Sequence, residues 1–216
     1  KLDFISYDEM LELASHGAKM QPRSIELAEV YGVTLEIRSS FHDGPGTIIG
    51  EGGKVEQYNR VRGVAAERDV AKVTVVGVPD RPGIAHAIFA PLAEAGISVD
   101  IIVQNVGRDE VTDLSFTIAT PDLAAAQRIL DGARGAIGAR DIQASKGLAK
   151  VSVVGVGMQS HPGYASRMFG ALADAGVNIE MITTSEIRIT CLIEADQAAK
   201  ATRALHRAFE LEKAQP

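Results

Sequence analysis

Several features that mark whole classes of protein are missing from this sequence of 216 residues. Its single cysteine, Cys191, excludes an internal disulfide and any metal site with several cysteine ligands, and it fits the reducing cytoplasm. No apolar run approaches the roughly 18 residues that a membrane-spanning helix needs. Basic residues (22) are fewer than acidic ones (28), which argues against a nucleic-acid partner. We therefore expect a cytoplasmic protein that binds neither membrane nor nucleic acid.

The sequence does contain a long internal repeat. The segment "AKVTVVGVPDRPGIAHAIFAPLAEAGISVDII" (71–102) aligns with "AKVSVVGVGMQSHPGYASRMFGALADAGVNIEMI" (149–182). The offset is 78 before the Pro-Gly pair and 80 after it, so the second copy has two additional residues at that point. A repeat of this length is too long for a solenoid and indicates two copies of a small domain.

The first copy has a complete set of predicted elements. β-branched alternation indicates strands, and apolar residues at helical spacing indicate a helix that ends near Gly96 and contains Pro91. A second helix is predicted to begin with Thr120 as its cap and Pro121 at its first position. The predicted strands are 72–78, 97–105, 112–119 and 139–146. The resulting order β-α-β-β-α-β predicts an α+β fold of the ferredoxin-like type.

The second copy lacks its last strand. We predict strands at 150–156, 177–183 and 187–193 and helices at 163–175 and 196–210, and the sequence then ends. The segment "NRVRGVAAE" (59–67) is strand-like and has no partner of its own. We therefore predict that residues 59–70 complete the second copy (147–216), and that the first copy (71–146) is inserted into it.

Residues 1–50 have a different character. "SYDE" (6–9) matches a capping box before a helix, a second helix is predicted at 23–32, and 33–40 is strand-like. Residues 41–53 are rich in turn formers, and 51–58 are predicted to be a linker. This set is too small to fold alone, so we expect it to be the end of a larger α/β domain.

Each copy has a strand that turns through Pro-Gly directly into a helix. We call these turns the first corner (79–83) and the second corner (157–163). The backbone N–H groups at the start of such a helix favour an anion such as a carboxylate, and Gly83 and Gly163 allow close approach. Asp80 could hold an ammonium group beside it, so the first corner suits an α-amino acid. The alternative is that Pro-Gly only makes a tight turn.

Polar residues of the strand that follows each helix could reach the same ligand. They are Ser98, Asp100, Gln104 and Asn105 in the first copy and Asn178, Glu180, Thr184 and Ser185 in the second.

Other chemistry is less well supported. "GVGMQS" (155–160) resembles the start of a dinucleotide-binding loop, but Ser160 replaces the third glycine. His161 has no evident nucleophile beside it, and the remaining histidines lack the spacing of metal ligands. Cys191 lies in an alternating strand and is interpreted as a packed residue. We therefore predict no catalytic residue and no metal site in these residues.

Four segments closely resemble the tandem ACT modules of bacterial aspartate kinases. They are "VGVPDRPGIAHAIFAPLAEAGISVDIIVQN", "TDLSFT", "VGVGMQSHPG" and "NIEMITTSEIRITCLI". "SYDEMLELASHGAK" and "RSSFHDGPGTII" resemble the end of the amino-acid-kinase domain of that family. The resemblance covers essentially the whole chain, with the motifs in the family's order.

This resemblance implies a regulatory function. Enzymes of the family use Mg-ATP to phosphorylate the β-carboxylate of L-aspartate, the first step toward lysine, threonine and methionine. Their ACT modules bind lysine, threonine or both as feedback inhibitors and pair with a second subunit. The resemblance implies effector contacts in the first copy at Asp80, Ala85, Ser98, Val99, Asp100 and Gln104. In the second copy it implies Gln159, Tyr164, Ala165, Asn178, Ile179, Ser185 and Glu186. It also places Lys19 near the nucleotide.

The sequence departs from the family in two ways. "GAKMQPRS" (17–24) is one residue shorter than in many relatives, which leaves the register around Gln21 open. The Lys-Phe-Gly-Gly phosphate loop and the aspartate-binding motifs of the kinase domain are absent, so we expect these residues alone to be inactive and to hold no cofactor.

Two alternatives to a regulatory region remain open. One is a separate regulatory subunit made from an internal start and assembled with a catalytic chain; a first residue, Lys1, within the kinase-like part argues against it. The other is a stand-alone amino-acid sensor, against which the same kinase-like part argues. The sequence does not identify the preferred effector.

Overall fold

The computed structural model describes residues 1–51, 61–105, 107, 110–156, 158 and 162–212. These residues divide into two units. Residues 68–148 form one, which we call the inserted unit, because it separates 1–67 from 149–216 in the chain. The two flanking parts together form the other, the interrupted unit. Two long strands, β4 (Gly63–Pro79) and β7 (Asp141–Val154), contribute residues to both units.

The inserted unit is a four-stranded sheet with two helices. After β4 come α3 (Ile84–Glu94), β5 (Ile102–Gln104), β6 (Val111–Ala119) and α4 (Leu123–Ile137), and the chain then enters β7. The strand order is β5-β6-β4-β7. Because β6 is antiparallel to both β4 and β5, the latter two run in the same direction. This is the arrangement that the predicted β-α-β-β-α-β order requires.

The core of the inserted unit follows the helical and strand periods of the sequence. Ile84, Ile88 and Leu92 recur every four residues on α3 and are buried against Val73 and Val75 of β4. A bulge between Val75 and Val78, with Gly77 at φ 64°, keeps Val78 in the core although the alternation shifts by one residue. Each such side chain contributes about 1.5–3 kcal/mol when fully buried.

The interrupted unit contains a sheet of the same order. It consists of the end of β7, α5 (Tyr164–Asp174), β8 (Met181–Thr184), β9 (Arg188–Glu194) and α6 (Ala198–Ala208), with strands ordered β8-β9-β7-β4. The start of β4 supplies the strand that the second copy lacks. Val61 is fully buried in the core of this unit, Val64 and Ala66 pack against it, and Arg62 N donates to Val154 O at 2.8 Å.

A smaller layer precedes β4 in the interrupted unit. It contains β1 (Phe4–Ser6), α1 (Tyr7–Ser15), α2 (Pro22–Val30), β2 (Leu35–Ile37) and β3 (Thr47–Gly50), with strand order β1-β3-β2. Its own core includes Ile5, Met10, Ile25 and Ile49. The predicted capping box is confirmed, because Glu9 N donates to the Ser6 hydroxyl and Ser6 N donates to the Glu9 carboxylate, each at 3.2 Å.

Several predicted boundaries were wrong. The strand predicted at 97–105 is a ladder only from Ile102, and Thr120 does not cap a helix, because Thr120–Asp122 form a 3₁₀ turn before α4. Strand β3 lies in the stretch predicted as turns, and β1 was not predicted. The predicted linker, apart from Glu51, lies outside the described residues. In the described part of the chain no helix is both long and apolar enough to cross a membrane.

Candidate functional site

At the first corner, the chain leaves β4 at Pro79 and enters α3 at Ile84, with four residues between them. Gly83 is the N-cap with φ 91°, a left-handed conformation that favours glycine, and it offers no side chain to the helix. The N–H groups of Ala85 and His86 therefore have no acceptor among the described residues. Such N–H groups, at the positive end of the helix dipole, are an anion site.

The structure brings two of the predicted effector residues together at this corner. Gln104 Nε2, at the end of β5, donates to Asp80 Oδ1 at 3.4 Å, and Asp80 N is held by Glu110 O at 2.8 Å. Asp80 is exposed, and Ala85 is half-buried in the first turn of α3. A carboxylate, an amide and free N–H groups thus lie at one end of the sheet.

The second corner has the same cap without the acidic group. Gly163 is the N-cap of α5 with φ 109° and no side-chain hydrogen bond. Tyr164 stacks on Phe209, the C-cap residue of α6, with ring centroids 6.3 Å apart, and the Arg167 guanidinium lies 5.1 Å from the centre of the same ring. These contacts fix the start of α5 on α6. Gln159 lies outside the described residues.

The predicted residues of the edge strands divide between the two ends of each sheet. Ser185 and Glu186 are exposed in the turn between β8 and β9, next to the second corner, because Gly155 N donates to Ile187 O at 2.9 Å. Asn178 and Ile179 instead precede β8, directly after α5. In the inserted unit, Ser98, Val99 and Asp100 likewise follow α3 and precede β5.

The two groups are therefore far apart within one chain. Residues 98 and 104 are six positions apart, which along an extended segment is roughly 20 Å. Since β5 runs parallel to β4, Gln104 lies at the corner end and Ser98 at the opposite end. Asp100 N donates to Thr117 O at 3.0 Å, which fixes this segment against β6.

The remaining candidates have no role at the corners. Lys19 is exposed between α1 and α2, and its proximity to a nucleotide stays a prediction. Cys191 is completely buried in the core of the interrupted unit, and burial raises the pKa of its thiol to about 12. Among the described residues no cluster of three or more His, Cys, Asp and Glu side chains is placed to hold a metal ion.

Comparison with known proteins supports this reading of the fold. Two models of the ACT domain match the chain, one at residues 72–134 and the other at residues 151–209. Each match falls on one copy of the repeat.

Proteins similar along the whole chain are aspartate kinases. The aspartate kinase of Pseudomonas fluorescens is 49% identical over 98% of this chain and 52% of its own length. The regulatory subunit of aspartate kinase from Thermus thermophilus, solved free of ligand, is 43% identical with a TM-score of 0.65, and the match covers 69% of this chain and 99% of that one. A chain in the crystal structure of aspartokinase alpha and beta subunits gives the same values.

The fold and the two matched domains define a tandem ACT-domain protein that resembles the regulatory part of aspartate kinases. The chain belongs to the aspartate kinase family. It spans about half the length of the curated relatives that it matches, whereas a whole regulatory subunit corresponds to about two thirds of this chain.

Proposed function

We propose that this chain is the regulatory region of an aspartate kinase, and that it binds the end products lysine, threonine or both as feedback inhibitors. The observation that supports this proposal is the first corner. Unbonded N–H groups of α3 lie beside the Asp80 carboxylate and the Gln104 amide. An α-amino acid carries a carboxylate and an ammonium on the same carbon, so it satisfies both halves of such a site.

A dimer completes the site in this proposal. Ser98 and Asp100 are about one strand length from Asp80 in the same chain. If β5 of a second chain pairs with β5 of the first chain in antiparallel orientation, the Ser98–Asp100 segment of the second chain comes to the corner end of the first. The edge strands of the two repeats, β5 and β8, carry an apolar residue at the same position. These residues are Ile102 (51% exposed) and Ile182 (44% exposed). Pairing would bury these side chains and cover both edges.

The kinase activity belongs to the whole enzyme in this proposal. Phosphorylation of L-aspartate to 4-phospho-L-aspartate needs bound Mg-ATP and groups that position its phosphates, and this sequence lacks the family's phosphate loop. We expect no phosphoryl transfer from these residues alone. Regulation then means that an occupied corner favours an arrangement in which the kinase domain is less active.

Calorimetric titration tests the effector proposal. Lysine and threonine are titrated separately and together into the wild-type chain, the Asp80→Ala variant and the control Asp131→Ala, which removes an exposed carboxylate from α4. We expect saturable binding that Asp80→Ala weakens by about tenfold or more, since a hydrogen bond to a charged group is lost. No heat with either amino acid at millimolar concentration, or equal weakening in both variants, would contradict the proposal.

A separate regulatory subunit is the second candidate, favoured by the match that covers 99% of a Thermus thermophilus regulatory subunit. In this case the chain assembles with a catalytic chain, as alpha and beta subunits do in a similar structure. Native mass spectrometry of the protein purified from its source distinguishes the candidates. A complex of two different chains supports the subunit, and one longer chain supports the regulatory region.

A further inference from the structure

Helix α1 carries a buried carboxylate that binds the chain next to the second corner. Glu9 is only 3% exposed, and its Oε1 accepts from Arg62 Nε at 3.2 Å and from the backbone N–H of Val156 at 3.3 Å. Its Oε2 accepts from Ser6 of the capping box. Val156 immediately precedes the second corner. One side of this corner is therefore held by a side chain of α1, 147 residues earlier in the sequence.

A second carboxylate of α1 binds the turn between β8 and β9, which lies beside the segment that precedes this corner. Arg188 Nη1 donates to Glu12 Oε2 at 3.0 Å and to His16 Nε2 at 2.5 Å. Arg188 closes the turn that contains Ser185 and Glu186, because its carbonyl oxygen accepts from Ser185 N at 2.8 Å. Ile187 O of the same turn accepts from Gly155 N. The segment that precedes the second corner and the turn between β8 and β9 are thus both connected to α1.

The first copy shows a different arrangement at the equivalent position. Ile102 pairs with Phe116 and Ile182 pairs with Cys191, so the registers of the two hairpins place Asp113 where Arg188 lies in the second copy. Asp113 Oδ1 accepts from the Gly77 backbone N–H at 2.7 Å, within its own unit. Gly77 corresponds to Gly155 in the repeat. Arg188 has the opposite charge and bonds to the carboxylate of α1 instead.

We propose that Glu9, Glu12 and Arg188 are positioning residues, which fasten Gly155, Val156 and the turn at 185–187 to α1 and thereby couple an effector that contacts Ser185 and Glu186 to α1. The first copy lacks this connection at the equivalent position. The part of the inference that concerns an occupant rests on the proposed function, whereas the coupling of α1 to these segments does not.

Hydrogen exchange of the ligand-free chain tests the coupling directly. Glu12→Gln keeps the size of the side chain but removes its charge, and Arg188→Gln removes the cation. We expect amide exchange in 155–156 and 185–187 to become about tenfold faster in both variants, because a charge-assisted bond that holds these segments is lost. The amides of residues 77–87, at the first corner, should exchange as in the wild type.

Matched controls are provided by Arg23 and Glu26 of α2. Their Nη1–Oε2 distance is also 3.0 Å, but the side chains are exposed. Arg23→Gln and Glu26→Gln should leave exchange at both corners unchanged. Arg188→Lys, which retains the charge, should recover most of the protection, and the Glu12→Gln/Arg188→Gln double variant should be no worse than either single variant.

Titration of lysine and threonine, followed by exchange at saturation, tests the role of an occupant. In the wild type, binding should change the protection of residues 7–15, and in Arg188→Gln this response should disappear. Faster exchange of α1 alone, with wild-type exchange at 155–156 and 185–187, would overturn the inference, since the junction would then only anchor the helix. Absence of binding in the wild type would contradict the proposed function, and the ligand-free measurements would still decide the coupling.

Discussion

The protonation of His16 makes stability depend on pH. The ring is buried, its Nδ1–H donates to Glu12 O at 2.9 Å, and its Nε2 faces a donor of Arg188. Burial first, and then the positive charge of Arg188, lower the pKa of His16, with a smaller effect of Lys150 in the same direction and an opposing one of Glu12. Protonation of Nε2 would turn it into a donor, so that two donors, this N–H and the Arg188 guanidinium, would face each other.

The sign of the effect follows from the direction of this shift. The unfolded chain binds the proton near pH 6.5, before the folded one does. Stability is therefore complete above about pH 6.5 and is lost as the pH falls toward the lowered pKa of the folded state. We predict that the free energy of unfolding in urea decreases between pH 7.5 and pH 5.5, and that His16→Asn flattens this slope. A slope in His16→Asn equal to that of the wild type would contradict the prediction.

Cys191 should be unreactive in the folded protein. The thiolate is the reactive form, and a completely buried thiol with a pKa of about 12 is almost never ionised at neutral pH. We predict that iodoacetamide labels it only after unfolding, which intact mass measurement in increasing urea detects. Rapid labelling in buffer would show that the core of the interrupted unit opens readily.

Single residues were predictable where local geometry determines them. The Pro-Gly pair indicated the corners, and "SYDE" indicated that Glu9 caps a helix. No sequence pattern indicated that Glu9 also accepts from Arg62 and Val156, because these donors are 53 and 147 residues away. The pairing of Arg188 with Glu12 was missed for the same reason. The one available signal for a difference at this position was that Asp113 of the first copy is replaced by Arg188 in the otherwise similar second copy.

Glycines in different elements should respond oppositely to substitution. Gly132 and Gly135 lie within α4, and a Cβ built there meets no atom within 4 Å. We predict that Gly132→Ala and Gly135→Ala each stabilise the protein by about 1 kcal/mol, because alanine favours the helix. Gly83→Ala also has space but sits at φ 91°, so it should destabilise by about 1–2 kcal/mol. Thermal unfolding measures all three, and a stable Gly83→Ala would contradict the strained cap.

Helices were easier to predict than strands. The spacing of Ile84, Ile88 and Leu92 specifies α3 and its buried face from the sequence alone. The 17 residues of β4 were divided into two predicted strands, because Arg68 and Asp69 break the alternation. In the structure these two residues are exposed and Asp69 has φ 64°, but the strand continues through them. The strand predicted at 97–105 was too long, since pairing with β6 rather than apolar alternation decides where a ladder begins.

The order of the parts along the chain was accessible to simple counting. One copy of the repeat had four predicted strands and the other had three, while a strand-like segment lay unpaired upstream. This count predicted that the first copy is inserted into the second. It could not indicate that residues 1–50 share a unit with the second copy, because Glu9, Glu12, Arg62 and Arg188 meet only after folding.

Dimer formation and effector binding should be lost together. A site that needs Asp80 from one chain and Ser98–Asp100 from another cannot form in a monomer. Ile102 is half exposed on the edge strand β5, and a lysine there places a charge in the proposed pairing surface. We predict that Ile102→Lys weakens the dimer by about tenfold or more and weakens lysine or threonine binding in parallel.

Sedimentation velocity at several protein concentrations measures the association, and calorimetry on the same samples measures the binding. Val30→Lys is the control, because Val30 is 76% exposed on α2 rather than on a sheet edge. It should change neither quantity. The decisive result is the behaviour of Ile102→Lys when it is monomeric. If such a monomer binds the amino acid with wild-type affinity, the site is complete in one chain, and Ser98–Asp100 have no part in it.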